Sequence, residues 1–489
     1  MSSPDPPPIK VFNTLSGQKE DLVSLQPMTL GIYVCGPTVY SYIHIGNART
    51  FTSFDVIVRY LRYRGFKVTY VRNYTDVDDK IIHAAKESGE SPFSLAARFI
   101  EEFEKEAAAL GLMPPDVAPR VSDHLPQIIS MIARLIESGI AYTSQGDVYF
   151  SVSKYPDYAK LSKRNIDELR AGERVQPGER KREPLDFALW KAAKPGEPAW
   201  DSPWGKGRPG WHIECSEMAA HYLGETLDVH GGGRDLIFPH HENEIAQSEV
   251  VFQKTFARFW LHGGFLDLEG AKMSKSLGNV VLLRDALAKV DPEALRLFFL
   301  STHYRNQLDF SDKSLSDAEL RMEYFYETLA QVNERIAHSS AGEGPTTEDA
   351  ERYLLEFERF MDDDFNSAGA TGVIASLFTA MNTLIDRPPV KDRAQVTRTL
   401  VRFREQVEKI SAITGLFRDD PAAWLLRRRE RAVKAKGIDP DQVEKLIAER
   451  GLYRQRKNFA EADRIRRELQ SLGVEVMDKA DRTLWKVNC

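Results

Sequence analysis

The feature that most constrains this chain is a strand, a helix and a second strand packed into its first quarter. "LGIYVCG" is a short apolar run ending at Gly-Pro, Phe51, Phe54, Val58 and Leu61 then recur at helical spacing, and "KVTYVRNYT" is β-branched and aromatic between polar flanks. This order predicts a parallel α/β sheet, because parallel neighbours need a crossover helix between them. A second helix is expected around Pro92 to Leu112. The rhythm then breaks. "GDVYFSV" reads as a strand, and Asn165 to Gly210 is polar and rich in Gly, Pro, Lys and Glu, with little periodicity before "DFALWKAA". Residues 122–210 therefore read as an insertion. Beyond it the α/β pattern resumes, with "HIECSEMAAHYLG" as a helix, "TLDVHGGG" as a strand, and "FPHHENEIAQSEVVF" as a helix with Pro at its start.

From about Ser314 the strand signal fades. The segment "SLSDAELRMEYFYETLAQVNERIAH" and the stretch Glu348 to Thr414 have helical periodicity, so residues 314–420 read as a helical bundle. Two more helices are expected around Pro440 to Gln455 and Asn458 to Leu472, followed by a hairpin in "VEVMDKADRTLWKV". With 489 residues, about three domains are expected. No apolar run approaches the roughly 20 residues of a membrane span, and "MSSPDPPPIK" lacks the basic and apolar regions of a secretory signal. A cytoplasmic chain with residues 1–19 disordered is expected. Three dispersed cysteines, Cys35, Cys215 and Cys489, make no disulfide framework. The net charge of −6 argues against a nucleic-acid partner until its distribution is considered. Leu425 to Cys489 holds 17 Lys and Arg against 11 Asp and Glu, so this tail is +6 and the remainder −12. A solvated helical face gives the same pattern.

Two short motifs carry chemistry. "HIGN", His44 to Asn47, opens the first helix, where unpaired N–H groups and the positive dipole end attract phosphate and a glycine admits a nucleotide against the backbone. On these four residues alone, a capping histidine beside a turn glycine is the commoner arrangement. "GAKMSKSLGN" places Lys272 and Lys275 with two serines between glycines, which suits a leaving polyphosphate and equally a solvated basic loop. Taken together, His-Ile-Gly on the first helix and Lys-Met-Ser-Lys-Ser beyond the last strand resemble the paired signature of class I aminoacyl-tRNA synthetases. The chain is most similar to the cysteinyl-tRNA synthetase family, through "YVCGPTVY", "HIGNAR", "YVRNYTDVDDKI", "RPGWHIECSEM", "DVHGGGRDLIFPHHENEIAQSE", "KMSKSLGN" and "FNSA" in order over nearly its whole length.

The resemblance implies a Rossmann-like parallel-sheet catalytic domain, 20–121 and 211–313, interrupted by the 122–210 insertion. A helical bundle and a small, mostly helical anticodon-binding domain at 421–489 would follow. It implies one Zn2+ per chain on Cys35, Cys215, His240 and Glu244. Soft thiolates, an imidazole and a carboxylate are reasonable zinc ligands, and His240 and Glu244 stand four apart, although spacing alone does not find the set and each cysteine taken singly is more often a small buried residue. It further implies L-cysteine at Cys35, Gly36, Thr75, Trp211 and His230. ATP with Mg2+ would lie at His44, Gly46, Asn47, Gly232, Asp235 and Lys275, with His44, Asn47, Lys272 and Lys275 acting in catalysis. For tRNA(Cys), the implied contacts are Arg454 and Phe459, a phenylalanine that could stack on a base or pack on a helix. A monomer with no membrane partner is expected. Two positions depart from the family pattern: Asn47 stands where class I motifs usually end in histidine, and Phe459 where a tryptophan is common.

Three rivals follow. A methionyl-type enzyme shares both nucleotide motifs but uses a knuckle of paired cysteines that this chain cannot make. A cysteine ligase acting on an amino-sugar acceptor would lack the basic tail. A catalytically silent, zinc-bearing RNA-binding protein would not need intact "HIGN" and "KMSKS".

Overall fold

In the computed structural model the chain is described at residues 8–166, 180–268, 270–272, 280–339, 341–388, 392–478 and 483–487. It opens on a hairpin, β1 (Lys10–Asn13) and β2 (Gln18–Asp21), paired antiparallel from Lys10↔Asp21 to Asn13↔Gln18. This corrects the expectation of disorder over residues 8–19, residues 1–7 lying outside the described residues. Ile9 and Val11 are buried, and Asn13 caps its own turn and donates to the Arg258 carbonyl at 2.9 Å, so the segment is tied down despite its polar composition.

The central sheet is parallel, as expected. β3 (Thr29–Val34) leads through α1 (Ile45–Tyr63) to β4 (Lys67–Arg72), and the two strands pair from Thr29↔Lys67 to Val34↔Arg72. Leu30, Ile32, Tyr33 and Val34 are all buried, as a strand covered by helices on both faces requires. Two helices follow, α2 (Asp79–Ser88) and α3 (Pro92–Ala109); the sequence signals only the second. Within 122–210, α4 (Leu125–Glu137) precedes an antiparallel sheet of β5 (Ala141–Ser144), β6 (Asp147–Phe150), β7 (Phe187–Ala192) and β8 (Gly207–Pro209), in that order.

The chain then returns through α5 (Ile213–Leu223), β9 (Leu227–Gly233), α6 (Glu242–Phe252) and β10 (Ala257–Gly263). The sheet order is β10-β9-β3-β4, all parallel. The chain moves outward from β3 in one direction and later returns to its other side, so β3 and β9 flank a topological switch point, where open α/β sheets place their ligands. Gly231 pairs with Val34 there, and a Cβ on it would collide with the Phe54 ring of α1. The glycine run of β9 therefore lets α1 lie directly on the sheet.

The first unit continues through β11 (Leu266–Leu268), β12 (Ala271–Lys272), α7 (Leu283–Lys289), α8 (Pro292–Leu300) and β13 (Leu308–Phe310). Four long helices follow: α9 (Asp312–Ala337), α10 (Arg352–Asp362), α11 (Ser367–Asp386) and α12 (Arg393–Thr414). The expected bundle over 314–420 does not form one body. The first unit comprises Met1–Ser314, Glu351–Ser376 and Glu408–Leu416. Polar anchors account for this: Tyr60 donates to Asp362 at 2.6 Å, Arg305 pairs with Asp364 at 2.7 Å, and buried Arg296 donates to the Thr414 carbonyl.

The second unit comprises Leu315–Ala350, Leu377–Val407 and Phe417–Cys489. Phe325, Phe378 and Phe417 meet at its centre, with ring centroids 4.5 to 5.7 Å apart. A helix the sequence reading did not separate, α13 (Pro421–Lys436), inserts Trp424 against Tyr326, stacked at 4.5 Å. Its last segment holds α14 (Pro440–Gln455), α15 (Phe459–Ser471) and the hairpin of β14 (Val474–Asp478) with β15 (Thr483–Val487), as expected, around Val443, Ile465, Leu469, Val474 and Trp485.

Among the described residues one helix, α11, is long and apolar enough to cross a membrane by length and composition, which corrects the expectation that no apolar run approaches that length. Its Ile374, Leu377, Phe378 and Met381 are fully buried in protein, which is how a core helix behaves.

Candidate active site

At the switch point, the end of β3, the start of α1 and the loops after β9 and β10 enclose a cavity of about 370 Å3. His44 is the N-cap of α1, and its Nδ1 accepts from the Asn47 N–H at 3.2 Å. Capping and phosphate contact are thus compatible, since they use different ring nitrogens. His44, Gly46 and Asn47 line one end of the cavity with Asp235, while Cys35, Gly36, Thr75, Trp211, Cys215 and His240 line the other. Three of the expected substrate, nucleotide and metal residues are not in the lining: His230, Gly232 and Glu244. His230 is fully buried, where it contacts Glu244 and stacks on Trp260 at 4.4 Å, and Gly232 packs against His241 and Leu236. Lys272 forms β12, and Lys275 lies outside the described residues.

Cys35 ends β3, Cys215 comes from α5, His240 from the turn before α6 and Glu244 from its first turn. Their donor atoms all lie within 4.8 Å of one another. Cys35 Sγ is 3.7 Å from Cys215 Sγ and 3.5 Å from Glu244 Oε1, and His240 Nε2 is 3.0 Å from the same oxygen. Burial pushes the Cys35 thiol well up, reinforced by the neighbouring Cys215. Burial also opposes a thiolate at Cys215, but hydrogen bonding from Cys35 and the charge of His240 outweigh it and bring Cys215 down to about 6. His240 would lose its charge through burial, yet Glu244 and Cys215 hold it up at about 10. A buried set of two thiols and a carboxylate thus demands positive charge, supplied here by an imidazolium. A divalent cation with soft ligands fits that demand. An overlapping set, Cys35, His230, His241 and Glu244, has the same spread but only one sulfur.

Several contacts around the site are not legible in the sequence. Trp211 lies over His240, with ring centroids 4.4 Å apart, and the Lys80 ammonium is 5.7 Å from the Trp211 ring, at the cavity edge. Asn73 Oδ1 accepts from the Gly36 N–H at 2.8 Å, and a Cβ on Gly36 would run into the Asn73 carbonyl. Thr75 donates to Glu214 at 3.0 Å. Arg49, 2% exposed, donates to the carbonyls of Gly264, Phe265, His303 and Asn306 and so fixes the loop that closes the cavity opposite α1. Asn73 and Arg49 stand inside quoted motifs, yet only the fold shows their partners.

In the second unit, Phe459 begins α15 with 61% of its surface exposed, which suits stacking better than packing. Arg454, half-exposed, pairs with Asp478, which also takes a bidentate contact from Arg450 at 2.7 Å.

Comparison with known proteins shows the family. Residues 21–320 match the family described as the catalytic domain of tRNA synthetases class I (C), residues 356–418 a DALR domain, and residues 440–485 the cysteinyl-tRNA ligase anticodon binding domain. The cysteine--tRNA ligase of Anaeromyxobacter dehalogenans (strain 2CP-C) is 51% identical over 98% of this chain and 99% of its own. That of Geobacter sulfurreducens is 49% identical over the same shares. Among solved structures, a Mycobacterium tuberculosis methionyl-tRNA synthetase in complex with methionyl-adenylate superposes with a TM-score of 0.60 over 79% of this chain and 92% of that one. At 17% identity it speaks for the fold alone. The anticodon-domain match and the full-length relatives disfavour the amino-sugar ligase, the methionyl-type enzyme and the silent RNA-binding protein, and the chain belongs to the cysteine--tRNA ligase family of class I aminoacyl-tRNA synthetases.

Proposed function

We propose that the cavity binds cysteine and ATP side by side, with the thiol at the Cys35, Cys215, His240 end and the triphosphate at the start of α1. The observation that carries this reading is the cavity itself: a soft-donor cluster and a helix N-terminus face the same enclosed space. Cys35, Cys215, His240 and Glu244 would hold one zinc ion, which supplies a soft Lewis acid for a substrate thiolate. Trp211 walls that end. Serine offers a harder and far less acidic oxygen, and methionine a neutral thioether on a longer side chain, so discrimination rests on a bond that competitors cannot form. Pocket size alone separates near-isosteres by only roughly 10- to 200-fold.

The first step is in-line attack. The cysteine carboxylate oxygen forms a bond to the ATP α-phosphorus, the bond to the bridging oxygen breaks, and pyrophosphate leaves with Mg2+. His44 and the α1 N–H groups meet the developing charge, Gly46 permits close approach, Asn47 can donate an amide hydrogen bond, and Lys272 and Lys275 neutralise the leaving group. Asp235, which lines the cavity, would orient the adenosine end. In the second step the terminal ribose hydroxyl of tRNA takes the cysteinyl group and AMP departs. Phe459 would stack on an anticodon base, with Arg454 and neighbouring cations at phosphate or base edges. The reading takes the protein to act as a monomer in the cytoplasm, where three dispersed cysteines stay reduced.

The test is metal content together with amino-acid-dependent ATP–pyrophosphate exchange on one purified sample. Exchange driven by cysteine, with serine and methionine inert and zinc bound, is expected. Exchange driven by methionine, or none, overturns the reading.

A further inference from the structure

A second group of metal-competent side chains lies on the other face of α5. Cys215 and Glu217 are two residues apart and therefore about 200° apart around the helix, so while Cys215 faces the cavity, Glu217 faces α4. There it meets His124, the residue that caps α4, and His221 one turn further along α5. The three donor atoms lie within 4.8 Å of one another. His124 Nδ1 is 3.1 Å from Glu217 Oε2, and His221 Nδ1 is 3.7 Å from Glu217 Oε1.

Three further observations point to a cation rather than to a simple polar contact. First, His124 and Glu217 are more than nine-tenths buried, and neither His124 Nδ1 nor Glu217 Oε2 makes a hydrogen bond among the described residues, despite their proximity. Leaving two such atoms unsatisfied is costly, and no lysine or arginine among the described residues pairs with this carboxylate. Second, the other ring nitrogen of His124 is engaged: Nε2 lies 3.1 Å from the Tyr222 hydroxyl. An Nε2–H donating to that oxygen orients the ring and leaves a lone pair on Nδ1, the arrangement typical of metal-bound imidazoles. Third, His221 is 43% exposed, and a neighbouring cavity of about 530 Å3 is bordered by both Glu217 and His221, so solvent reaches the group and water can complete a coordination sphere. Two ligands about 2.0–2.1 Å from a tetrahedral zinc stand about 3.3 Å apart, close to the observed 3.1 Å.

We propose that His124, Glu217 and His221 bind a second divalent cation of the borderline kind, Zn2+, Co2+ or Ni2+, distinct from the one at Cys35. Two imidazoles and a carboxylate suit these ions rather than Mg2+ or Ca2+. The site joins the first helix of the insertion to the helix that carries Cys215, so occupancy would tie the insertion to the floor of the active site.

Cobalt titration of the chelator-stripped, full-length protein tests this, because thiolate ligands give an intense sulfur-to-cobalt charge-transfer band that nitrogen and oxygen ligands cannot. We expect wild type to bind two cobalt ions per chain, His221→Ala to bind one with the thiolate band unchanged, and Cys215→Ser to bind one without it. His221 is partly exposed, so its replacement should not compromise folding. Glu217→Gln serves as a second variant with the same expectation. If His221→Ala and Glu217→Gln keep the wild-type stoichiometry, or if wild type binds only the cobalt that shows the thiolate band, the proposal is overturned. A single cobalt without that band, lost in His221→Ala, would support this site while refuting the one at Cys35.

Discussion

Replacing Arg49 by methionine should disable adenylate formation without touching the cysteine end of the cavity. The guanidinium is buried, and burial lowers its pKa to about 10, so it remains charged at neutral pH. Its Nη1 donates to Gly264 and Phe265 at 3.2 and 2.7 Å, and its Nη2 to His303 and Asn306 at 3.2 and 2.6 Å. Methionine keeps much of the length and none of the donors, so four carbonyls lose a charged partner. Each charge-assisted bond is worth about 1.5–3 kcal/mol, but the loop can relax and water can reach some of the carbonyls, so a net cost of about 3–5 kcal/mol is expected. Gly264 and Phe265 line the cavity opposite the start of α1, so the loop bears the cost first. The assays are ATP–pyrophosphate exchange, metal content and thermal unfolding. We expect exchange slowed at least tenfold, metal content at the wild-type level, and Tm lowered by several degrees. Arg49→Lys should recover only part of the loss, because one ammonium cannot serve four carbonyls arranged around a planar fork. Wild-type exchange and an unchanged Tm in Arg49→Met would refute the argument that this side chain holds the loop.

Lys275→Ala should slow adenylate formation by about 10²- to 10³-fold if the lysine acts mainly in the transition state, as single-turnover kinetics would read; an unchanged rate removes it from the mechanism. Cys215→Ser should lower both bound zinc and cysteine affinity, and elemental analysis showing full zinc would exclude Cys215 as a ligand. Gly36→Ala should lower Tm and metal retention together, because the added methyl group must push the ends of β3 and β4 apart; a variant indistinguishable from wild type would show that the contact yields. Removing residues 438–489 should spare exchange and reduce tRNA charging by at least tenfold. The cut belongs there and not before Trp424, whose loss would expose the core of the second unit. Equal charging by the shortened protein would contradict the role given to Phe459 and Arg454.

What the sequence made legible follows from the range over which each signal acts. β3, α1, β4 and β9 were readable because strand alternation, helical spacing and turn residues are local, and the parallel pairing follows from their order. The hairpin at residues 10–21 was not, because its order comes from contacts such as Asn13 with Arg258, far away in the chain. The same limit applies at the site. His44 to Asn47 could be placed at a helix start from local sequence, whereas Cys35, Cys215, His240 and Glu244 come from four separate elements, and only a family resemblance could unite them before the fold did. His230 is a case in point: the resemblance put it at the cysteine site, and the structure holds it behind Glu244, where its Nε2 lies 2.8 Å from the carboxylate. The distinction has consequences. A residue behind a ligand acts through that ligand, so replacing His230 should change metal affinity first and cysteine affinity only as a result, whereas replacing Trp211, which faces the cavity, should change cysteine affinity with the metal still bound. Measuring both quantities on both variants separates the wall of the pocket from its support, and equal effects on both would mean that the two residues share one role.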